Sequence, residues 1–185
     1  MTVVTFRTIK PEIRILGIHD GAPLPKGDKR VHIVGVVMRG GLWLDGVLRT
    51  WITRDGDDAT QNITAAVGAS PHMGQLRVIL LPNHALGGLN VIDTTLLWKK
   101  LRKPVIVFLR GKMLTKKTPR RYEESLSKVS INRQPAYIAT QGITIEDAAR
   151  ILEICTTSGP TPEPLRVARL LSAEVNRRAD SLDRQ

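Results

Sequence analysis

Cysteine is almost absent: Cys155 stands alone in 185 residues. A single thiol closes no internal disulfide and supplies no Cys-based zinc site, which excludes a disulfide-built secreted scaffold. Aromatic side chains are scarce too, with three Trp, two Tyr and two Phe. That is poor material for the base-stacking platforms of single-strand-binding proteins. No apolar run approaches the roughly 20 residues of a membrane-spanning helix. The N-terminus, Met1 to Arg7, lacks the basic start, apolar stretch and cleavage site of a signal peptide. A cytoplasmic protein with no membrane partner is expected. Acidic residues are in deficit: 17 Asp+Glu face 28 Lys+Arg, for a net charge of +11 and a pI near 10.4. Such a balance points to a polyanionic partner, DNA or RNA.

What is present is ordinary globular material, 42 % apolar with a mean hydropathy of −0.10. The length suits one domain over residues 1–185, able to bury about 70 % of the surface that its unfolded chain exposes. There is no internal repeat, and nothing in the sequence sets the oligomeric state.

Ile13 to Asp20 is apolar and β-branched and reads as a first strand. Val31 to Met38 is a second, and the tight Arg39-Gly40-Gly41 connection makes Leu42 to Thr53 its antiparallel neighbour, with Gly46 a bulge or kink. Asp57 and Asp58 open a helix that Ser70-Pro71 stops. Leu76 to Leu81 is a fourth strand. A Gly-bearing loop from Pro82 to Leu89 leads to a helix over Val91 to Leu101, and the almost wholly apolar Val105 to Leu109 is a fifth strand, buried on both faces. Beyond it the sequence predicts a helix over Pro119 to Val129 and a short strand over Ala136 to Thr140. Two more helices follow, one capped by Thr144 with Asp147 three residues on, the other from Glu163 to Arg177. The order of elements predicts an α/β protein with a mixed five-stranded sheet, three antiparallel strands and then parallel crossovers, flanked by helices. That is the ribonuclease H-like order.

The densest charge lies between Trp98 and Arg121. Lys99, Lys100, Arg102, Lys103, Arg110, Lys112, Lys116, Lys117, Arg120 and Arg121 fall there with no acid among them. A solubilising loop accounts for such a run; so does a patch that tracks phosphates. Asp45 reads as a bulge or turn residue on a central strand, and Asp93 as a dipole-favoured acid at a helix start. Asp20 and Asp55 each stand beside turn residues and have an equally simple turn reading. Arg166, one turn into the last helix, is a candidate anion ligand or the partner of a neighbouring acid. His19, His32, His72 and His84 show no metal-binding spacing. In a continuous strand His19 and Asp20 would point to opposite faces, and Cys155 sits on an apolar helix face as core.

Several segments carry a family resemblance: Lys10 to Gly21, Val34 to Gly41, Trp43 to Val47, Asp55 to Thr60, Gln75 to Ile79, Gly88 to Asp93 and Pro162 to Ala168. In that order they resemble the archaeal family known as domain of unknown function 99, across most of the chain. That family is similar to endonuclease V, a metal-dependent nuclease of the ribonuclease H-like group that cuts near deaminated bases. The resemblance implies a divalent cation, Mg or Mn, held by Asp20 at the end of the first strand and Asp55 after the third. Three further positions depart from the pattern. Pro82-Asn83 stands where a third acid is expected, Gly142-Ile143 where a Gly-His pair is, and Arg169 where an Asp follows the Pro-Glu-Pro helix opening. Mg²⁺ takes oxygen ligands in an octahedron, and two-ion cleavage needs bridging carboxylates. The expected function is therefore nucleic-acid binding with an eroded metal site and little or no cleavage. The alternatives are a metal-dependent nuclease or phosphohydrolase using Asp20 and Asp55, and a protein–protein scaffold.

Overall fold

The computed structural model describes residues 3–21, 29–111 and 120–182. Its elements run β1 (Arg14–His19), β2 (Arg30–Arg39), β3 (Trp43–Thr53), α1 (Ala59–Gly68), β4 (Val78–Leu81), β5 (Ala85–Leu86), β6 (Asn90–Val91) and α2 (Thr94–Leu101). They continue with β7 (Val105–Leu109), α3 (Arg120–Glu124), β8 (Ser127–Ile131), β9 (Gln134–Gln141), α4 (Ile145–Cys155) and α5 (Glu163–Leu182). One sheet has the order β3-β2-β1-β4-β7-β9-β8, and β5 pairs with β6 in a small separate hairpin. β1, β4 and β7 are parallel, while β2, β3, β8 and β9 join antiparallel. This is the mixed sheet of the ribonuclease H-like class, with β1 inside it. It has seven strands rather than five.

Of the two added strands, β9 contains the short strand expected over Ala136 to Thr140, and β8 takes the end of the helix expected over Pro119 to Val129. Only Arg120–Glu124 is helical. From Ser127 the burial alternates, with Val129 and Ile131 turned inward and Lys128 and Ser130 outward, which is strand periodicity. Asn132 and Arg133 both take positive φ, 48° and 67°, as a two-residue hairpin loop requires. Asn132 also donates from Nδ2 to the Thr156 carbonyl, which ties the turn to the end of α4. The loop from Pro82 holds β5 and β6, so α2 starts at Thr94 rather than Val91, with the Asp93 carboxylate accepting from the Leu96 amide as its N-cap.

Side chains alternate cleanly across the sheet. Leu16, Ile18, Ile79, Leu81, Val105 and Val107 pack under α1 and α2 with Ile63 and Leu97. Ile15, Val78, Leu80, Ile106 and Phe108 face the other way, onto Ile151, Leu152 and Leu165 of α4 and α5. A smaller cluster of Val34, Val36 and Met38 meets Ala168 on α5. α5 approaches β1 so closely that a Cβ at Gly17 would fall on the backbone of Pro164. The Thr144 cap forms as expected, its hydroxyl accepting from the Asp147 amide. Cys155 is buried on the apolar face of α4.

Candidate nucleic-acid interface

Because β1, β4 and β7 run parallel, their carboxyl ends emerge on one edge of the sheet, the usual place for ligands in α/β folds. His19, Pro82 and Leu109 stand at those ends, Arg110 just beyond β7, and the first turns of α5 bring Leu165, Arg166 and Arg169 over them. Together with Phe108, Gly111 and Thr161 they enclose a cavity of about 340 Å³. Its charged lining is cationic. Arg110, Arg166 and Arg169 are exposed, and their planar forks suit phosphate oxygens.

Arg166 is held ready by its own helix. Its Nε and Nη2 donate to Glu163 Oε2 at 2.9 and 2.7 Å, and Ser158 Oγ donates to Glu163 Oε1. Burial by itself would raise the Glu163 carboxyl; the hydrogen bonds from Arg166 and Ser158 outweigh it and keep the group below the ordinary carboxylate range. Arg166 therefore makes the neighbouring ion pair and also lines the cavity.

His19 is the residue that sequence reading placed wrongly. β1 ends at His19, and the chain turns so that Asp20 and His19 meet: His19 Nδ1 lies 3.1 Å from Asp20 Oδ1 and accepts from the Gly21 amide at 2.9 Å. The strict alternation that would separate the two holds only inside a strand.

Asp20 and Asp55, far apart in sequence, are tied to one turn. Asp20 Oδ2 accepts from the Gly87 amide at 2.8 Å, and Asp55 Oδ1 accepts from the Leu89 amide at 2.9 Å. Asp55 itself takes a positive φ of 52° and donates its amide to the Gly87 carbonyl. Gly88 between them has φ 87°, and a Cβ there would strike the Asp55 carboxylate, so the turn requires glycine. A further brace was not anticipated. Asp58 accepts from the Thr53 amide and hydroxyl and from Asn90 Nδ2, locking the end of β3 to β6. Burial would raise the Asp58 carboxyl, but these bonds prevail and lower it.

The donor set does not fit a two-ion site. Among the described residues no group of three His, Cys, Asp or Glu side chains could hold a metal. At the expected third position the Asn83 Oδ1 accepts from the His84 amide at 2.7 Å, and Pro82 has no ligand atom. Asp20 and Asp55 each accept one amide hydrogen bond from the Gly87–Leu89 turn.

The basic run of the sequence is divided by the fold. Lys99, Lys100, Arg102 and Lys103 precede β7, whereas Arg110 follows it, so they sit at opposite ends of a five-residue strand, about 16 Å apart. Lys103 is half-buried, and desolvation, with Arg77 nearby, lowers its pKa. Lys112, Lys116 and Lys117 lie outside the described residues, as do the side chains of Arg120 and Arg121. Asp45 is indeed at a bulge, but β3 is an edge strand rather than a central one, and Arg14 and Arg39 hold its carboxylate at 2.9 and 2.8 Å.

A second cavity, of about 330 Å³, lies against β7 and β9 on the α2 side, lined by His84, Asp93, Thr95, Tyr122 and Gln141 among others. His84 is 2 % exposed, stacks on Tyr122 at 4.2 Å, and among the described residues neither ring nitrogen has a hydrogen-bond partner. Burial pushes its pKa down to about 4.

A family model described as Endonuclease dU matches residues 11–176. The chain belongs to that family. A UPF0215 protein of Methanothermobacter thermautotrophicus is 42 % identical over 185 residues, covering 92 % of this chain and 91 % of the relative. A protein of unknown function from Archaeoglobus fulgidus superposes with a TM-score of 0.74 at 30 % identity, over 88 % of this chain and 98 % of that one. An endonuclease V of Ciona intestinalis, solved with a 23mer DNA containing an inosine followed by a ribo-adenosine, superposes with a TM-score of 0.65 at 14 % identity. That match covers 90 % of this chain and 86 % of the other. It shows the shared ribonuclease H-like fold. No helix among the described residues is long and apolar enough to cross a membrane.

Proposed function

We propose that this protein binds nucleic acid by its sugar–phosphate backbone, seating a phosphate among Arg110, Arg166 and Arg169 at the carboxyl ends of β1, β4 and β7. Its metal site is reduced to one ion at most, and strand cleavage is weak or absent. The observation that carries this reading is the cationic cavity beside Asp20, where three guanidinium groups converge without an acid in the lining. The endonuclease V relative solved with DNA supports a nucleic-acid partner for this fold. The net charge of +11 favours approach to any polyanion.

Hydrolysis is a second reading with its own support. Asp20 and Asp55 are fastened to amides two residues apart, and the matching family is described as Endonuclease dU. On this reading Asp20 and Asp55 would hold a single divalent cation, Mg²⁺ or Mn²⁺, which would polarise a phosphate and activate a water. Arg110 and Arg169 hold the strand, and His19 orients Asp20.

Binding and cleavage are measured separately. Affinity for duplex and single-stranded DNA and for RNA is measured across a salt series, with wild type and the Arg110→Glu/Arg169→Glu double variant. The variant should bind all sequences more weakly and to the same degree, and its log–log salt slope should flatten by about 0.9 for every duplex phosphate that it no longer neutralises. Unchanged binding removes the proposed interface. Cleavage of strands with and without deoxyuridine, in Mg²⁺ or Mn²⁺, separates the two readings: turnover abolished by Asp20→Asn or Asp55→Asn establishes the hydrolase, and tight binding without turnover establishes the binding protein.

A further inference from the structure

We infer that the β3 edge of the sheet is an interface between two copies of this chain, which pair β3 with β3 antiparallel across a two-fold axis. β3 has eleven residues and, among the described residues, pairs only with β2, so its outer side carries a row of backbone N–H and C=O groups that no strand of the same sheet reaches; at its end the Trp51 carbonyl accepts from Asn62 Nδ2 and the Thr53 N–H donates to Asp58. Natural edges of this length are usually guarded by Lys, Pro or inward-pointing charge. This one carries no Lys or Pro; apart from the bulge at Asp45 and the exposed Arg49, its open side chains are apolar: Trp43 is 61 % exposed, Val47 51 % and Trp51 44 %.

The register explains why these residues share a surface. Leu44 lies opposite Met38, Val47 opposite Val36, Arg49 opposite Val34 and Trp51 opposite His32. Val34, Val36 and Met38 are covered by α5, so Leu44, Val47, Arg49 and Trp51 continue the same face outward, past the cover of the helix. On α5, Val167 and Val175 pack on that β2 cluster. Leu171, midway between them on the same helical row, remains exposed, as does Leu170. A bare sheet edge and an apolar helix shoulder thus flank one core cluster.

Three arguments select a second copy as the occupant. First, an unpaired strand is satisfied by another strand, and this one is self-complementary about Val47. Antiparallel pairing centred there sets Val47 against its own counterpart, Arg49 against Asp45 of the second copy, and Trp51 against Trp43 of the second copy. Opposite charges and aromatic pairs across strands are both favourable. Second, most cations around the strip are already engaged. Arg14 and Arg39 are committed to Asp45, and the Arg30 guanidinium lies 4.6 Å over the Trp51 ring. Few cations therefore remain here for a phosphate backbone. Third, the exposed apolar side chains leave on the order of 600 Å² open, and strand pairing adds backbone to that, close to the roughly 800 Å² per partner of a standard stable interface. The consequence is one continuous sheet through both copies, with the two cationic cavities at the strand ends facing opposite ways along it.

The test uses the full chain, free of nucleic acid, at high salt and micromolar concentration. Light scattering after size exclusion should give twice the 20.5 kDa chain mass. Val47→Lys should give the single-chain mass with the same thermal unfolding midpoint once both proteins are monomeric at high dilution, because the side chain is exposed. Trp51→Lys repeats the test at a second position should Val47→Lys fold poorly. Amide hydrogen exchange should show the outward amides of β3 protected in wild type and released in the monomeric variant. A wild-type chain that scatters as a monomer overturns the inference, and so does a Val47→Lys dimer of unchanged affinity. A monomer whose Trp51→Lys variant loses nucleic-acid binding also overturns it, and would assign the strip to nucleic acid.

Discussion

His84 makes the stability of this protein depend on acid in a way that one substitution isolates. Its ring is 2 % exposed, both nitrogens are unpaired, and burial lowers its pKa to about 4 from the ordinary 6.5. The folded state therefore refuses a proton that the unfolded chain accepts between those two values. Stability from this group is present in full above pH 6.5 and is lost as pH falls towards 4. A depression of this size corresponds to about 3 kcal/mol, since each pKa unit is worth about 1.4 kcal/mol. His84→Phe keeps the stack on Tyr122 and removes the titration. Urea denaturation of both proteins at a series of pH values gives the difference directly. At neutral pH the variant should match or exceed wild type, because it no longer buries two unpaired nitrogens. By about pH 4 its advantage should have grown by roughly 3 kcal/mol. Parallel pH profiles would refute the argument: they would mean that the ring is satisfied in solution, by water in the adjoining cavity or by a bound molecule, and titrates normally.

Asn176→Ala should cost about 3 kcal/mol in urea denaturation, because this buried amide accepts from the His32 N–H and donates towards the carbonyls of Asp20, His32 and Ser172. Gly17→Val should unseat α5 from β1 and abolish two-state unfolding, whereas the same change at Gly74, where a Cβ meets nothing, should leave the midpoint within about 0.5 kcal/mol. Replacing Lys116, Lys117, Arg120 and Arg121 by Glu should weaken binding to all sequences equally and leave thermal unfolding unchanged, as read by filter binding and circular dichroism. If that variant binds as wild type at physiological salt, the run serves solubility and the phosphate contacts belong to Arg110, Arg166 and Arg169 alone.

Local patterns were enough for most of the architecture. The β-branched runs of β1 and β2, the tight Arg39-Gly40-Gly41 connection and the wholly apolar β7 each have an unambiguous signature, and their order leaves few topologies open. β9 is legible as the strand over Ala136 to Thr140, but β8 and its hairpin with β9 are not, because the turn is Asn132-Arg133 rather than the Asn-Gly that marks such loops, although the alternation from Ser127 to Ile131 is present. β5 and β6 are two residues each, too short for any period to show. At the site, the resemblance to endonuclease V singles out Asp20 and Asp55, and each accepts an amide hydrogen bond from the Gly87–Leu89 turn. The cavity was not legible. Arg110, Arg166, Arg169 and His19 come from three elements that meet only because right-handed crossovers return to the same edge. The place of His19 depends on the strand stopping one residue before Asp20.

The cationic cavity is built from segments far apart in the sequence. β1 supplies one wall within the first 19 residues, and α5 supplies another after residue 162. Without α5 the faces of β1 and β2 that it covers would be bare, and of the three arginines only Arg110 would stand at the strand ends. The positive charge of the chain is thus spread along its sequence, whereas the pocket exists only once α5 has docked on β1. α5 is therefore the point of control: a chain cut or frayed within it would keep much of its sheet and charge, yet lose the pocket in a single step.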